Sequence, residues 1–329
     1  MAEKILVTGG AGYVGSVSVD LLTRQGYQVV VYDNLSEGHR EAVPEGVPLV
    51  VGDLNDGAKL SGVIQDLKPE FVIHFAASAL VGESNEKPLK YFENNIANGT
   101  KLVRAMLANG VKSIVFSSSA AVYGEPSEVP IPEDHAKSPV NPYGFTKLVF
   151  ERFLEYCQTA YGLLSVCLRY FNASGATEVL GEDHTPETHL IPNVLGPALG
   201  KLPRVTVLGD DYPTPDGTCV RDFIHVSDLA DAHVQALEIL RKGESDRINL
   251  GNGKGFSVME VIRVAERVTG RPIPYEIAPR RAGDPAVLVA SAGRAWQVLG
   301  WKPKFASLED IIRTAWDWHS RHPAGYTSG

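Results

Sequence analysis

Cysteine is scarce in this chain: three residues in 329, Cys157, Cys167 and Cys219, odd in number and widely spaced. With no Cys-x-x-Cys pair among them, neither a disulfide framework nor a thiolate zinc site is expected, and small apolar packing is their expected role. Positive charge is in deficit: 31 lysines and arginines against 39 acids leave a formal net charge of −8. That balance argues against nucleic acid or a membrane surface as the main partner. No apolar run approaches the ~20 residues of a membrane-spanning helix. No basic, apolar leader precedes the first strand pattern, so a cytoplasmic location is the expectation. Internal repeats, low-complexity tracts and obvious linkers are missing as well. The nine histidines form no metal pattern: His225 and His233 stand eight apart, His184 and His189 lie on a loop, and no metal is expected.

What is present is an ordinary globular composition, 44% hydrophobic and 21% charged, long enough for one large or two medium domains. Lys4–Thr8 is a short apolar strand that runs into Gly9-Gly10-Ala11-Gly12-Tyr13-Val14-Gly15 and a helical pattern ending near Gly26. Strand, glycine turn and helix make a pyrophosphate cradle. Gly9 allows the tight turn, Gly12 lets a phosphate approach the backbone, and Gly15 lets the helix pack on the sheet. The next strand, Gln28–Tyr32, delivers Asp33 eighteen residues after Gly15, where an acid meets the adenosine ribose hydroxyls. An acid there repels a 2′-phosphate, which favours NAD over NADP.

The alternation continues through strands at 48–52, 71–76, 114–119 and 165–171, with helices at about 88–109 and behind Tyr143. It predicts an α/β fold: a doubly wound parallel sheet of Rossmann type with a second, smaller α/β substrate domain. Residues 1–171 are read as the dinucleotide-binding domain, with a return segment at 221–250, and 172–329 as the smaller domain. Gly9, Asp33, Asp53 (with Leu54 at the adenine edge), Ala76, Ser119 and Asn172 all fall at strand ends, where ligands of such sheets bind. In the second half, Ser227 is expected to cap a helix reaching Leu240. Arg221 and Arg281 are candidate clamps for an anionic substrate, since guanidinium meets phosphate in two-pronged fashion.

The strand Ile114–Ser119 ends in three hydroxyls, and Asn141-Pro142-Tyr143-Gly144-Phe145-Thr146-Lys147 opens a helix. Tyr143 and Lys147, one turn apart, share a face. A tyrosine pKa of ~10 comes down to ~7 for roughly 4 kcal/mol, about what one cation ~4 Å away supplies at an effective dielectric near 20. Lys147 is therefore expected nearly to suffice for making Tyr143 a base, with an oxidised nicotinamide ring adding a second positive charge and Ser119 holding the substrate oxygen whose proton is taken. Tyr-x-x-x-Lys alone occurs on many helices; the glycine loop upstream gives it weight.

These motifs resemble the extended short-chain dehydrogenase/reductase superfamily, and within it the UDP-glucose 4-epimerase family. The likeness runs from Val7-Thr8-Gly9-Gly10 to about Gly300. It includes Tyr32-Asp33-Asn34-Leu35, Gly52-Asp53-Leu54, His74-Phe75-Ala76-Ala77, Phe116-Ser117-Ser118-Ser119, Asn141-Pro142-Tyr143-Gly144, Arg169-Tyr170-Phe171-Asn172 and Arg280-Arg281-Ala282-Gly283-Asp284. The resemblance implies Tyr143 as base, Ser119 as its hydrogen-bonding partner and Lys147 on the nicotinamide ribose. It implies further NAD contacts from Tyr13, Val14, Asn34, Leu35, Ser36 and Gly38. Phe75, Ala76, Ala77, Ala79, Asn94, Ser117, Tyr170 and Phe171 would complete the cofactor site. Asn172, His189, Leu190, Leu208, Arg221, Arg281, Asp284 and Leu288 would hold UDP-galactose or UDP-glucose.

Ala79 stands where certain epimerases place a lysine, Leu208 where an aromatic often stacks on uracil, and Leu288 where the hexose pocket passes carbon-2. The resemblance also implies a homodimer, since in this family the helices around Lys90–Leu107 and Tyr143–Tyr161 form a four-helix dimer interface. A nucleotide-sugar 4,6-dehydratase is the nearest alternative, but Ser119 is followed by Ala120 and Ala121 instead of two acids. An epimerase of UDP-N-acetylhexosamines and a non-catalytic NAD-binding regulator are the others. Intact Ser119, Tyr143 and Lys147 speak against the regulator.

Overall fold

The computed structural model describes residues 2–281 and 283–326, so Ala282 of the arginine motif lies outside the described residues. In Lys4–Thr8 (β1), Ile5 and Val7 pack on one face and Leu6 on the other, all fully buried, as a strand covered on both sides requires. The chain continues through Tyr13–Arg24 (α1), Gln28–Asp33 (β2), Leu49–Val51 (β3), Gly57–Leu67 (α2) and Phe71–His74 (β4). Two short helices follow, Val81–Glu86 (α3) and Pro88–Tyr91 (α4), and then a widened π turn at Phe92–Asn98 leads into Gly99–Ala108 (α5). Ser113–Ser119 (β5), Pro142–Tyr161 (α6) and Leu164–Tyr170 (β6) complete the first alternation.

The single helix expected over 88–109 is thus interrupted. The wide turn lets two consecutive side chains reach one residue. Asn95 accepts from the Ser78 N–H at 2.8 Å and donates to the Ser78 carbonyl at 3.0 Å, while Asn94 donates to Ser78 Oγ at 3.1 Å. An unbroken α-helix turns neighbours about 100° apart.

The second half runs Asn172–Ser174 (β7), Leu190–Leu195 (α7), Val205–Leu208 (β8), Val220–His225 (β9), Val226–Arg241 (α8) and Asp246–Leu250 (β10). It ends with Gly255–Ser257 (β11), Val258–Thr269 (α9), Tyr275–Ala278 (β12), Val287–Leu288 (β13), Gly293–Leu299 (α10) and Leu308–Arg321 (α11).

Seven parallel strands form the main sheet in the order β10-β6-β5-β4-β1-β2-β3. The chain leaves β1 in one direction through β2 and β3 and in the other through β4, β5 and β6. The switch point therefore lies between β1 and β4. Val19 and Leu22 of α1, with Leu229 and Leu237 of α8, cover one face. Leu60 and Ile64 of α2, Leu102 and Met106 of α5 and Phe150 and Leu154 of α6 cover the other.

The expected return segment 221–250 divides. α8 and β10 go back to the main sheet, but β9 joins β7, β11 and β13 in a separate four-stranded sheet. The buried Asp222 carboxylate ties β9 to that second half by accepting from the N–H groups of Asn252, Gly253 and Ala290. The helix cap also differs from expectation. His225 Nδ1 accepts from the Ser227 N–H at 3.1 Å, so the histidine caps α8 and the helix begins at Val226. Burial holds that imidazole neutral, its pKa lowered to about 4, which leaves Nδ1 free to accept. Among the described residues, no helix is long and apolar enough to cross a membrane.

Candidate active site

A cleft of about 1090 Å³ runs along the carboxyl ends of β1, β2, β4 and β5 and out between them and the second half. Its floor is the glycine loop. A Cβ on Gly9, whose φ is +75°, would lie 2.4 Å from the Ala76 nitrogen, and one on Gly15 would lie 2.1 Å from the Gly9 carbonyl oxygen. Those two glycines are demanded by the protein's own backbone. Gly12 is different: its Cβ would meet only the Gly9 oxygen, at an ordinary 3.5 Å. Nothing in the chain requires glycine there, and the bare backbone leaves room for a ligand at the N-terminus of α1, as a bound dinucleotide needs.

Asp33 ends β2 with its oxygens accepting from the N–H groups of Ala11 and Leu35, both at 2.9 Å. Each oxygen keeps a lone pair for a ribose hydroxyl. Tyr13, Val14, Asn34, Ser36, Gly38, Asp53, Leu54, Phe75, Ala76, Ala77, Ala79, Asn94, Ser117, Tyr170 and Phe171 all line the cleft. Leu35 does not. Its φ of 59° turns the backbone so that its N–H meets Asp33, and its part in the site is that turn.

The catalytic candidates meet because β5 and α6 touch at their ends. Asn141 caps α6 by accepting from the Gly144 N–H at 2.8 Å, and Pro142 follows at the first turn. A Cβ on Gly144 would sit 2.4 Å from the Ala121 oxygen, so α6 starts directly on the turn after Ser119. Burial raises the Tyr143 phenol above the ordinary tyrosine range, and the nearby Ser119 hydroxyl, which also accepts from the Ala121 N–H at 3.1 Å, acts downward. Lys147 is buried. Its Nζ donates to the Ser117 carbonyl at 2.8 Å and lies 5.7 Å from the centre of the Tyr143 ring.

Here the expectation from spacing fails. Burial keeps the phenol of the protein alone above the ordinary tyrosine range, while the Lys147 cation is committed to the Ser117 carbonyl. Desolvation also lowers the lysine itself to about 7, against the pull of Glu151 one turn further on. A further positive charge beside the phenol is needed, and an oxidised nicotinamide carries one.

Asn172, His189, Leu190, Leu208, Arg221, Arg281, Asp284 and Leu288 line the far end of the same cleft. Asp284 pairs with both clamps, Arg221 Nη2 at 2.5 Å and Arg281 Nη2 at 3.2 Å. Its carboxylate orients the guanidinium groups, and the trio keeps one net positive charge. Several cleft residues carried no signal in the sequence. Lys90 lies 2.9 Å from Glu83 and 3.9 Å from Glu37 across the adenosine end. Glu182 and His184 join Glu187 and His189 in a tight cluster, against the expectation of unconnected loop histidines. Burial pushes both imidazoles down, but the facing carboxylates prevail and raise His184 to about 9 and His189 to about 10. Only alternation in a loop, Glu182-x-His184 and Glu187-x-His189, hinted at this grouping.

A parallel sheet with a glycine loop at its switch point, and a serine, a tyrosine and a lysine at the next strand ends, define a dinucleotide-dependent enzyme of the short-chain dehydrogenase/reductase type. The chain belongs to the NAD dependent epimerase/dehydratase family, whose model matches residues 5–251. It is 55% identical to the UDP-glucose 4-epimerase of Halalkalibacterium halodurans over 327 residues, 98% of each chain. Among solved structures it resembles the UDP-glucose 4-epimerase from Brucella ovis in complex with NAD, with a TM-score of 0.94 and 49% identity over 97% of this chain and 99% of that one. The UDP-glucose 4-epimerase from Bifidobacterium longum in complex with NAD+ and UDP superposes with a TM-score of 0.95, at 40% identity over 98% and 100% of the two chains.

Proposed function

We propose that this protein is a UDP-glucose 4-epimerase, interconverting UDP-galactose and UDP-glucose through a 4-keto sugar. One observation carries the reading beyond the family: Ser119 and Tyr143 meet on the cleft wall, and the two residues after Ser119 that line it, Ala120 and Ala121, have no proton to give. Tyr143 as phenolate takes the proton of the carbon-4 hydroxyl, and Ser119 holds that oxygen. NAD, when bound, supplies a hydride acceptor for carbon-4 and a positive charge beside the phenol.

Lys147 meets the nicotinamide ribose and keeps the tyrosine in place. Arg221 and Arg281, oriented by Asp284, hold the diphosphate, with Asn172, His189 and Leu190 around it and Leu208 covering the uracil. Binding energy placed on UDP leaves the hexose free to turn between the two hydride transfers. Redox balance returns to zero in each turnover, so the cofactor stays with the enzyme.

Purified protein mixed with UDP-galactose and no added NAD is expected to form UDP-glucose. A 4-keto-6-deoxy sugar in the mass spectrum would instead make it a dehydratase and end the reading.

We infer a homodimer as well. Leu89, Phe92, Phe145 and Tyr156 leave large apolar side chains exposed on α4, the π turn and α6, with the Phe92 and Phe145 rings 5.9 Å apart. Exposed apolar side chains on neighbouring helices favour association. Sedimentation at micromolar concentration should give the mass of two chains, and a one-chain mass refutes it. Three free cysteines, two of them buried, suit the reducing cytoplasm.

A further inference from the structure

Outside the groups that perform the chemistry, one cluster has more ligating capacity than its hydrogen bonds use. Glu182, His184, Glu187 and His189 lie within eight residues of chain just before α7, and one ligand atom from each falls within 4.8 Å of all the others. Each imidazole faces both carboxylates through the same nitrogen. His184 Nδ1 is 3.2 Å from Glu182 and 3.8 Å from Glu187; His189 Nδ1 is 2.7 Å from Glu182 and 3.2 Å from Glu187.

A tetrahedral ion with bonds of ~2.0–2.1 Å holds its ligands ~3.3–3.4 Å apart. The four contacts, 2.7 to 3.8 Å, fall on both sides of that edge. Glu182 presents one oxygen to both imidazoles, and Glu187 presents Oε2 to His184 and Oε1 to His189. A proton serves this arrangement poorly, because an N–H points at one acceptor. His184 Nδ1 shows the shortfall: it is buried and has no hydrogen-bond partner of proper geometry, although two carboxylates stand beside it. A cation at the centre would meet all four donors at once.

We propose that Glu182, His184, Glu187 and His189 form a binding site for a divalent transition-metal ion, Zn²⁺ foremost, on the wall of the cleft. The chemistry of the set selects the ion. Two imidazole nitrogens and two carboxylate oxygens suit a borderline metal in tetrahedral coordination; Mg²⁺ and Ca²⁺ prefer six or more oxygens. Two carboxylates cancel the charge of one divalent ion, so the complex is neutral. Glu182 is the anchor, 4% exposed and preceded by Gly181, where a Cβ would lie 2.2 Å from the Trp318 ring.

The location gives the site consequence. Tyr13 of the cofactor loop faces the His184 ring edge-on at 6.3 Å, and His189 stands at the start of α7 beside the substrate-lining Leu190. A bound ion would fix the loop from Gly181 to Leu190 between the two halves of the cleft. Protons carried by the imidazoles would leave to solvent on coordination.

The test uses the full-length holoenzyme with bound NAD, dialysed against a chelator and then titrated with ZnCl2 by calorimetry, with cobalt(II) as a spectroscopic probe. One tight site per chain is expected, in the micromolar range or below. Cobalt(II) should give the intense visible absorption of a tetrahedral complex. His184→Ala should abolish both signals while its circular dichroism and bound NAD stay unchanged; Glu182→Gln should weaken Zn²⁺ at least ~100-fold. Absence of a stoichiometric site, or Zn²⁺ binding that His184→Ala leaves intact, overturns the proposal. Neither readout uses epimerase activity, so a failure here is distinct from a failure of the proposed reaction.

Discussion

Tyr143 is useful as a base only once its proton can leave, and burial alone works against that. In the absence of bound cofactor, the phenol should resist deprotonation to above the ordinary tyrosine range, read as phenolate absorbance in a Tyr143→Phe difference titration. The same Tyr143→Phe variant should keep its fold and bound NAD and lose a factor of ~10² or more in turnover. Near-normal turnover would sink the assignment. Leu288 governs a subtler choice. It pairs with Arg221 across β13 and β9 and packs against the small apolar cluster of Ala120, Val122, Tyr123 and Ile131, on the Ser119 side of the cleft. One methylene in an apolar pocket decides only ~1–3 kcal/mol, so UDP-N-acetylgalactosamine should turn over weakly beside UDP-galactose. Leu288→Tyr should remove the weak activity and spare the main one; a parallel fall in both specificity constants means that Leu288 does not gate the pocket. At this scale the Tyr143–Lys147 pair was legible, because four residues of helix fix a shared face. What Lys147 does with its charge was not, since the Ser117 carbonyl that takes it is thirty residues away.

At the scale of elements, α6 is held by contacts that no local pattern announces. Glu151, one turn beyond Lys147, takes two hydrogen bonds from Arg169 of β6, at 2.9 and 2.6 Å, and one from Ser118 of β5 at 2.5 Å. All three residues are buried, and Arg169 also donates to Tyr123 at 3.0 Å. The network pins the helix bearing Tyr143 and Lys147 to the strand bearing Ser119. Its partners lie 18 and 33 residues from Glu151, which is why the order of β5, α6 and β6 is legible in the sequence and what joins them is not. The same limit explains the π turn: its cause is Ser78, sixteen and seventeen residues upstream of Asn94 and Asn95. Glu151→Gln leaves a buried guanidinium without its counter-charge, and breaking such pairs costs about 3–5 kcal/mol. The urea midpoint should fall accordingly, with turnover lowered in the protein that remains folded. A midpoint unchanged from the parent would show that the pair contributes nothing net.

For the whole molecule, the doubly wound sheet was legible because hydrophobic runs and glycine turns repeat along the first 171 residues. The division of 221–250 between two sheets was not, because it depends on where the Asp222 carboxylate finds its three N–H donors. Among the described residues, burial holds several histidines neutral and lowers three of them furthest. His74 accepts or donates at Thr8 Oγ1, 2.8 Å away; His225 caps α8; His233 of α8 lies against Phe75, the rings tilted by 43° with centres 4.5 Å apart. Burial lowers them to about 3, about 4 and about 4. A histidine in the unfolded chain takes its proton near ~6.5. Between those values the unfolded state binds more protons than the folded one, so stability rises with pH there and is lost on acidification. Asp222, raised to about 6 by burial, works in the opposite direction and offsets part of one histidine. His233 isolates the effect, because its Nε2 is buried without a partner and burial is the main cause of its shift. His233→Leu should change stability little at pH 8 relative to its change at pH 4.5, where removing the histidine gains about 2 kcal/mol more. Urea midpoints of parent and variant measured from pH 8 to 4.5 should therefore diverge on the acid side. Parallel curves would mean that His233 takes its proton in the folded protein as readily as in the unfolded chain.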